Sequence, residues 1–303
     1  MIVRPHPHPL SLLFILRGSI IHAIIGELVV VLGAAALITG FYHFRPMLFS
    51  GISLAPFTLL GLALSIFLGF RNNACYQRWW EARQQWGRLI AETRSFMRDL
   101  RAVLPDRDDR TRRLGRRIVG FAHALRCQLR GERVEAAQPW LPAGEWLGLA
   151  GLRGKPSEIL NLQAQELADA LRAGEITDIL YRVFSERLAT MGNIQAACER
   201  LQSTPTPFAY TLLLHRTAWL FCLLTPIGIV STLGWLTPLA TVVLAYAFFG
   251  LDALGQELQE PFERTANAVP LDALVRIIEI SVLEALGETE IPEPLLPQDF
   301  VLL

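Results

Sequence analysis

Histidine and cysteine are the residues with which this chain could bind a metal ion or a haem. His22 and His215 lie in or beside apolar segments, where a histidine can ligate haem iron or relay protons. More often such a histidine bonds a backbone carbonyl or lies at a membrane interface. The cysteines form no Cys-x-x-Cys pair and no zinc-type spacing with histidine. They are Cys75, Cys127, Cys198 and Cys222. We therefore expect no metal site and no cofactor, with a haem-binding redox protein as an alternative.

The sequence carries none of the common enzyme motifs. It has no Gly-x-Gly-x-x-Gly after a strand, no Walker loop, no Gly-x-Ser-x-Gly and no His-Glu-x-x-His. The 28 basic residues are balanced by 28 acidic ones, so no net charge attracts nucleic acid. The sequence predicts neither an enzyme nor a nucleic-acid partner.

One basic cluster, Arg110–Arg117, could contact phosphates or anionic lipid headgroups. It follows three acidic residues, Asp106, Asp108 and Asp109. Because the acids are so close, we interpret the cluster as a solvated helix face with local ion pairs.

Long apolar blocks are the elements that must position these side chains. The chain is 52% apolar and only 18% charged, which is too apolar for an average soluble protein. Four blocks approach the roughly 20 residues that a helix needs to cross a bilayer. We expect spans at about Ala23–Phe44, Ile52–Phe70, Thr217–Leu233 and Leu236–Leu251. Gly234 and Pro238 should form the turn between the last two.

Basic residues beside the spans predict the orientation. The first connection holds only Arg45, and the tip of the second hairpin holds no basic residue. Six arginines lie on the opposite side: Arg4, Arg17, Arg71, Arg78, Arg83 and Arg88. The positive-inside rule then places both termini and the central region in the cytoplasm. Met1–Leu16 fits a cleavable signal peptide poorly, so we expect it to be retained.

The polar stretch from about Glu81 to Pro205 is too long for a loop and predicts a cytosolic domain. Helical patterns cover Arg88–Leu104, Arg112–Arg130, Pro156–Arg172 and Thr177–Gln202, with an irregular stretch at Gln138–Lys155. Apolar residues with helical spacing mark the buried face of the second pattern: Ile118, Phe121, Ala122 and Leu125. No strand pattern of useful length is present, so the predicted fold is all-α.

The second span carries two stripes with a spacing of four residues. Small residues form the first stripe, which lets another helix approach closely. They are Gly61, Ser65 and Gly69. Bulky residues form the next stripe, about 100° round the helix. They are Leu62, Ile66 and Phe70. In a bundle of several copies this second stripe could line a narrow apolar pore that gates by dewetting. The alternative is ordinary packing surface.

Three motifs, in chain order, resemble those of the bestrophin family. Arg71-Asn-Asn-Ala-Cys-Tyr-Gln-Arg-Trp-Trp-Glu-Ala-Arg83 with Trp86-Gly87 is similar to the bestrophin segment in which Arg-Trp-Trp follows the second span. Thr204–Thr211 resembles the Pro-rich start of the third span, and Gly250–Phe262 the segment that closes the fourth. The motif residues of the first segment are Arg71, Asn72, Asn73, Arg78, Trp79 and Trp80. The resemblance covers nearly the whole chain and is to prokaryotic members.

The resemblance implies a homopentameric ion channel with one axial pore in the inner membrane of a bacterium. Its partners would be copies of itself, the lipid bilayer and permeant small ions. By position before the Arg-Trp-Trp motif, the neck residues map to Leu62, Ile66 and Phe70. Counting back from Tyr210 in the second motif places the cytosolic aperture at Ile179. Neighbouring Asp178 and Glu175 could add negative charge there.

Two departures from the animal members bear on function. Animal channels bind calcium through an acidic run after a Pro-Phe pair, but Pro261-Phe262 is followed here by one carboxylate, Glu263. We therefore expect no calcium clasp, and we expect Asp272 to cap the next helix. The neck carries one aromatic residue where animal channels have two, which by resemblance favours cations such as sodium.

The sequence thus predicts four transmembrane helices and a helical cytosolic domain. The expected divisions are residues 1–80 with spans 1 and 2, 81–205 as the cytosolic domain, 206–254 with spans 3 and 4, and a cytosolic segment at 255–303. The alternatives to a cation channel are an anion (chloride) channel of the same architecture, a secondary transporter and the redox protein.

Overall fold

The computed structural model describes residues 1–4, 15, 18–104 and 109–303. These residues are mostly helical and form no β-strand beyond isolated bridges. The helices are α1 (Ile21–Phe44), α2 (Ala55–Val103), α3 (Asp109–Leu129), α4 (Ala143–Gly148), α5 (Lys155–Arg172), α6 (Asp178–Ser203), α7 (Phe208–Leu233), α8 (Thr237–Gln259) and α9 (Leu271–Ala285). Arg17, Asp106 and Asp108, which entered the sequence argument, lie outside the described residues.

Helix α2 is longer than the sequence predicts. The expected second span and the expected helix at Arg88–Leu104 are parts of one 49-residue helix. Between Phe70 and Arg88 the sequence turns from apolar to polar but contains no proline and only Gly87 as a weak helix former. A change in hydropathy does not end a helix when the backbone hydrogen bonds can continue, because breaks come from Pro, Gly and caps.

The turn between α7 and α8 lies where the sequence predicts it. Gly234 has a positive φ of 52° and begins a short 3-10 turn, Gly234–Leu236. Glycine adopts this conformation without the steric cost that a Cβ brings. Pro238, however, lies in the first turn of α8 rather than in the break. Proline suits that position because the first helical N–H groups have no intrahelical partner.

Within the described residues, three helical segments are long and apolar enough to cross a membrane. They are Ile21–Phe44, Ala55–Val103 and Phe208–Gln259. The last one contains both α7 and α8, so the division into four spans stays a prediction.

The chain divides into two compact units, which we describe separately. The apolar unit comprises Arg4–Trp79 and Pro205–Glu260. Its core is formed by α1, α7, α8 and the first part of α2. Leu64 and Leu68 are the contribution of α2, and Phe221, Phe248 and Phe249 are the largest members from α7 and α8.

The polar unit comprises Met1–Val3, Trp80–Thr204 and Pro261–Leu303. Helix α3 is its centre, and the four apolar residues that the spacing marks on it are fully buried. The stretch Gln138–Lys155, expected to be irregular, is partly helical. It contains α4 and the end of a 3-10 helix, Val134–Trp140. Its prolines permit these elements because Pro142 stands just before α4 and Pro139 lies in a 3-10 rather than an α-helix.

Candidate pore site

Among the residues that the structure describes, the bulky stripe on α2 is largely exposed. Leu62, Ile66 and Phe70 are 60%, 48% and 65% exposed, whereas Leu64 and Leu68 on the same helix are at most 1% exposed. Helical geometry separates the two sets because neighbouring residues differ by about 100° round the axis. The apolar unit therefore presents the stripe outward instead of using it as core.

The small-residue stripe packs at one end only. A Cβ at Gly61 would lie 3.0 Å from the ring of Phe221, so glycine lets α7 approach closely at this level. Ser65 donates a hydrogen bond to the carbonyl of Gly61 at 2.8 Å. At Gly69, no atom of the described residues other than the backbone of α2 itself lies within 4 Å of the position that a Cβ would occupy. The end of the stripe at Gly69 therefore leaves room for another helix.

Directly after the stripe, α2 is anchored to α8 by a buried ion pair. The side chain of Arg71 is fully buried and bonds the carboxylate of Asp252, whose side chain is only 4% exposed. The same guanidinium also reaches the backbone carbonyl of Asp252 at 3.4 Å. A buried guanidinium is tolerated only when an opposite charge and hydrogen bonds compensate its lost hydration.

His215 on α7 completes this anchor. Its Nδ1 lies 2.8 Å from Oδ2 of Asp252. Trp219 donates its indole N–H to His215 Nε2 at 3.2 Å. The neutral tautomer with the proton on Nδ1 satisfies both contacts, because Nε2 then accepts and Nδ1 donates. Since both ring nitrogens have partners, His215 has none left for haem iron.

A glycine on α8 makes room for this group. A Cβ at Gly255 would lie 2.5 Å from Oδ1 of Asn72 and 3.5 Å from the Arg71 guanidinium. Only a residue without a Cβ fits such an approach. Asn72 and Arg71 therefore face α8, while Asn73 is exposed.

The three sequence motifs meet at the C-terminal end of α8. Arg78 points its Nε and an Nη at the carbonyl of Gln259, each at 3.4 Å. Thr206 donates to the side-chain Oε1 of Gln259 at 2.5 Å. Tyr210 donates to the carbonyl of Phe67 at 3.1 Å. A cation and a hydroxyl thus hold the last turn of α8, whose carbonyls have no helical partners.

The two tryptophans of the motif follow Arg78 on α2. The ring of Trp79 stacks on Tyr76 with centroids 6.2 Å apart. Trp80 is 46% exposed.

The predicted aperture residue lies at the start of α6. Ile179 is 72% exposed, and Thr177 caps the helix by accepting a hydrogen bond from the Leu180 amide at 3.3 Å. The two neighbouring carboxylates differ in their surroundings. Glu175 forms an ion pair with Arg110, whereas Asp178 is exposed and has no ion pair among the described residues. Asp178 is therefore the uncompensated charge beside Ile179.

Arginines surround Asp272, the acidic residue that follows the Pro-Phe pair at a distance. Its carboxylate lies 3.0 Å from Arg126, 2.8 Å from Arg130 and 3.4 Å from Arg264. Burial alone would raise the pKa of Asp272, but the hydrogen bond from Arg130 and the three positive charges hold that pKa below its usual value.

The expectation that Asp272 caps α9 is wrong, because the cap position is Pro270 and no side chain bonds it. The described residues contain no group of three or more His, Cys, Asp or Glu side chains arranged for a metal ion.

The basic cluster Arg110–Arg117 forms ion pairs, but the interpretation as a solvated face with local pairs is wrong for Arg117, which is buried and pairs with acids distant in sequence. Arg113 lies 2.6 Å from Glu166 on α5. Arg117 is buried between Glu166 and Glu145, with 2.6 Å to the latter. The cluster is therefore largely neutralised by other helices of the polar unit.

Comparison with known proteins identifies the family. The family model described as Bacterial/Fungal Bestrophin protein matches residues 1–284. A protein of Mesorhizobium japonicum, named a voltage-dependent anion channel-forming protein, is 44% identical over 300 residues, covering 99% of this chain and 96% of the relative. The voltage-dependent anion channel-forming protein YneE of Escherichia coli K12 is 38% identical, with 98% of both chains covered.

The fold is also that of a solved family member. A bacterial bestrophin homolog from Klebsiella pneumoniae superposes with a TM-score of 0.85 at 36% identity, covering 88% of this chain and 100% of that one. This chain belongs to the bestrophin family. Its relatives named above are membrane channel-forming proteins, in agreement with the apolar helices α1, α2, α7 and α8.

Sequence reasoning missed two contacts of Asp252: its buried ion pair with Arg71 and its contact with Nδ1 of His215. The one available signal was a carboxylate placed directly after an apolar run, at the start of the third motif. An ionisable residue at such a position needs a partner, but the sequence does not say which one.

Proposed function

We propose that this chain is the subunit of a bestrophin-type channel that conducts monovalent ions through an axial pore. The exposed apolar stripe of Leu62, Ile66 and Phe70 carries the proposal, because a soluble or monomeric protein gains nothing from three bulky side chains that its own core does not use. Repeated round an axis, the stripe would form a hydrophobic neck. Such a constriction controls conduction by wetting and dewetting.

The assembly that we propose is a homopentamer. One chain has too few polar residues in its apolar helices to enclose a wet path, so the pore must lie between copies. The open stretch of the small-residue stripe at Ser65 and Gly69 supports close approach of a neighbouring helix. Chemical crosslinking and native mass measurement in detergent test this; pentamers are expected, and finding only monomers would rule it out.

We further propose that residues 1–80 and 206–254 cross the inner membrane four times. Residues 81–205 and 255–303 would then lie in the cytoplasm together with both termini, as the arginine distribution favours. Labelling of single introduced cysteines with an impermeant reagent tests this orientation. A cysteine at Arg45 should react from outside, and one at Arg182 only after lysis.

For selectivity we propose cations such as sodium. The unpaired carboxylate of Asp178 beside the exposed Ile179 supports this choice, since five copies would bring five negative charges to the cytosolic aperture. The second candidate is an anion channel with the same architecture. It is favoured by the printed names of the relatives, which are called anion channel-forming proteins.

Recording in a planar bilayer with unequal NaCl on the two sides separates the two candidates. A reversal potential near the sodium equilibrium potential supports cations, and one near the chloride equilibrium potential supports anions. No current from a folded oligomer would overturn the channel proposal itself.

A secondary transporter is less well supported. It needs ionisable groups near mid-membrane and broken helices, whereas the buried ion pair of Arg71 with Asp252 follows the apolar stripe of α2 instead of interrupting it.

A further inference from the structure

An open cavity of about 410 Å³ lies between α2 and α9 in the polar unit. Three arginines line it from the side of α2, and Ser281 lines it from α9. They are Arg94, Arg98 and Arg101. The volume is within the range of small-ligand sites, about 300–1,000 Å³. The bestrophin assignment and the proposed pore make no use of this cavity.

The three guanidinium groups lie on one face of α2. Residues 94, 98 and 101 have the spacing i, i+4, i+7, which brings side chains of a helix together one above the other. Like charges at this spacing destabilise a helix. The sequence therefore keeps a repulsive arrangement at the edge of a cavity, where a bound anion would relieve it.

Neighbouring acids do not neutralise Arg94 and Arg98. In the described part of the chain, Arg94 forms no ion pair, and its Nε donates to the hydroxyl of Ser281 at 3.2 Å. Arg98 forms a long ion pair with Asp99 at 3.7 Å, and the Arg98 side chain is 71% exposed. Asp99 is itself bonded by Arg187 at 2.6 Å. Other arginine clusters of the polar unit differ, because Glu166, Glu145 and Asp272 compensate them.

Ser281 and Met97 add the features of a ligand site. The Ser281 hydroxyl accepts from Arg94, so its own proton is free to bond a ligand oxygen. The Met97 side chain is buried and contributes an apolar wall. Guanidinium groups match phosphate oxygens with paired hydrogen bonds. This lining fits a ligand whose anionic group contacts the arginines and Ser281 and whose organic part packs against Met97.

We propose that this cavity binds a small phosphorylated ligand. Arg94 and Arg98 hold its phosphate or diphosphate group, and the Ser281 hydroxyl donates to a phosphate oxygen. The phosphate could belong to a soluble molecule or to a phospholipid headgroup, and the experiment distinguishes these two sources.

Isothermal titration of the full chain with inorganic pyrophosphate, in nanodiscs of neutral phosphatidylcholine, tests the proposal. We expect saturable binding that weakens with added salt, because charge dominates the contact. Arg94→Gln with Arg98→Gln should raise the Kd at least tenfold, and Ser281→Ala several-fold. The matched control is Arg172→Gln with Arg182→Gln, which removes the same charge from two exposed arginines outside the cavity and should leave the Kd unchanged.

A second set of nanodiscs that contain phosphatidylglycerol identifies the source of the phosphate. Equal pyrophosphate affinity in both sets indicates a soluble ligand, whereas weaker affinity in the anionic discs, for the parent and for the control variant alike, indicates a headgroup. Absence of binding in neutral discs, or equal binding by the parent and the Arg94/Arg98 variant, would overturn the proposal.

Thermal unfolding shows that the variants are folded and gives an independent readout. Without ligand, Arg98→Gln should unfold at the same temperature as the parent or slightly higher, because like-charge repulsion is relieved. Pyrophosphate should raise the unfolding temperature of the parent and of the control, but not that of the double Arg94/Arg98 variant. A matching rise in that variant would contradict the assignment of the site.

Discussion

The guanidinium of Arg71 and the carboxylate of Asp252 form a buried ion pair across 181 positions of sequence. Arg71 directly follows Phe70, the last residue of the exposed apolar stripe on α2. The pair therefore fixes the rotation of α2 about its axis at the level of the stripe. With Asp252 and His215 holding one face, Leu62, Ile66 and Phe70 are directed elsewhere.

Breaking this pair on one side should destabilise the protein strongly. Asp252→Asn leaves Arg71 as a buried charge without a counter-charge, which costs about 3–5 kcal/mol in comparable cases. The double variant Arg71→Met with Asp252→Met removes both charges, so its free energy of unfolding should fall by less than that of Asp252→Asn. Unfolding of the detergent-solubilised protein by heat or denaturant measures both. Equal losses of unfolding free energy in the single and the double variant would mean that the ion pair does not hold α2 against α8.

Shortening the stripe should increase conductance if it forms the neck. Leu62→Ala, Ile66→Ala and Phe70→Ala each widen the constriction and remove apolar wall, which favours wetting. Single-channel recording gives the conductance of each variant. Phe67→Ala is the matched control, because Phe67 is equally large and half-exposed but lies about 100° from Ile66 on the helix. Parent-like conductance in all three stripe variants would mean that the stripe is packing surface.

The two carboxylates near Ile179 should affect selectivity unequally. Asp178→Asn removes an uncompensated charge and should shift the reversal potential in unequal NaCl away from the sodium value. Glu175→Gln should have a smaller effect, because Arg110 already balances Glu175.

Ile179→Ala should act separately, by changing the relative permeability among ions of one sign. If Asp178→Asn and Glu175→Gln shift the potential equally, the ion pair of Glu175 does not screen its charge.

Conduction should not need calcium. A calcium site of useful affinity requires 6–8 oxygen ligands, several of them carboxylates. Here the carboxylate of Asp272 is already engaged by Arg126, Arg130 and Arg264, whose positive charges repel a divalent cation. Currents with calcium buffered to nanomolar levels should match those in micromolar calcium. A steep loss of current on chelation would show that other residues build a site.

The polar unit should lose stability in acid through Glu279. Burial would raise the pKa of this carboxyl, but the hydrogen bond and charge of His123, together with Arg276, hold that pKa below its usual value. A carboxyl whose pKa is lower in the folded than in the unfolded protein stabilises the folded state at pH values above the unfolded pKa, which is about 4.3 for glutamate. This contribution disappears as the pH falls through the lower pKa of the folded protein.

Glu279→Gln removes the titrating group that carries this contribution. The variant should therefore be less stable than the parent at pH 7, and the difference should shrink toward pH 3. Denaturant unfolding at several pH values measures this, and a difference that is constant with pH would contradict the assignment.

Local pattern predicted most of the helices, but contacts between distant segments could not be predicted. Apolar runs and spacing located α1, α7 and the buried face of α3, because these properties depend on neighbouring residues. The same spacing selected the stripe of Leu62, Ile66 and Phe70. The partner of Arg71 and the acids that hold Arg117 depend on tertiary packing, which no single segment encodes. The full extent of α2 could not be predicted, because a change in hydropathy does not mark the end of a helix.

The separation of Arg71 and Asp252 also sets an order of events during synthesis. At roughly 5–20 residues per second, the ribosome adds Asp252 about 9–36 s after Arg71, from the 181 positions between them. Throughout that interval the arginine lacks the counter-charge that it has in the folded protein. The rotation of α2 is therefore fixed only after α8 has been made, so the direction of the exposed apolar stripe is set by one of the last helices to leave the ribosome.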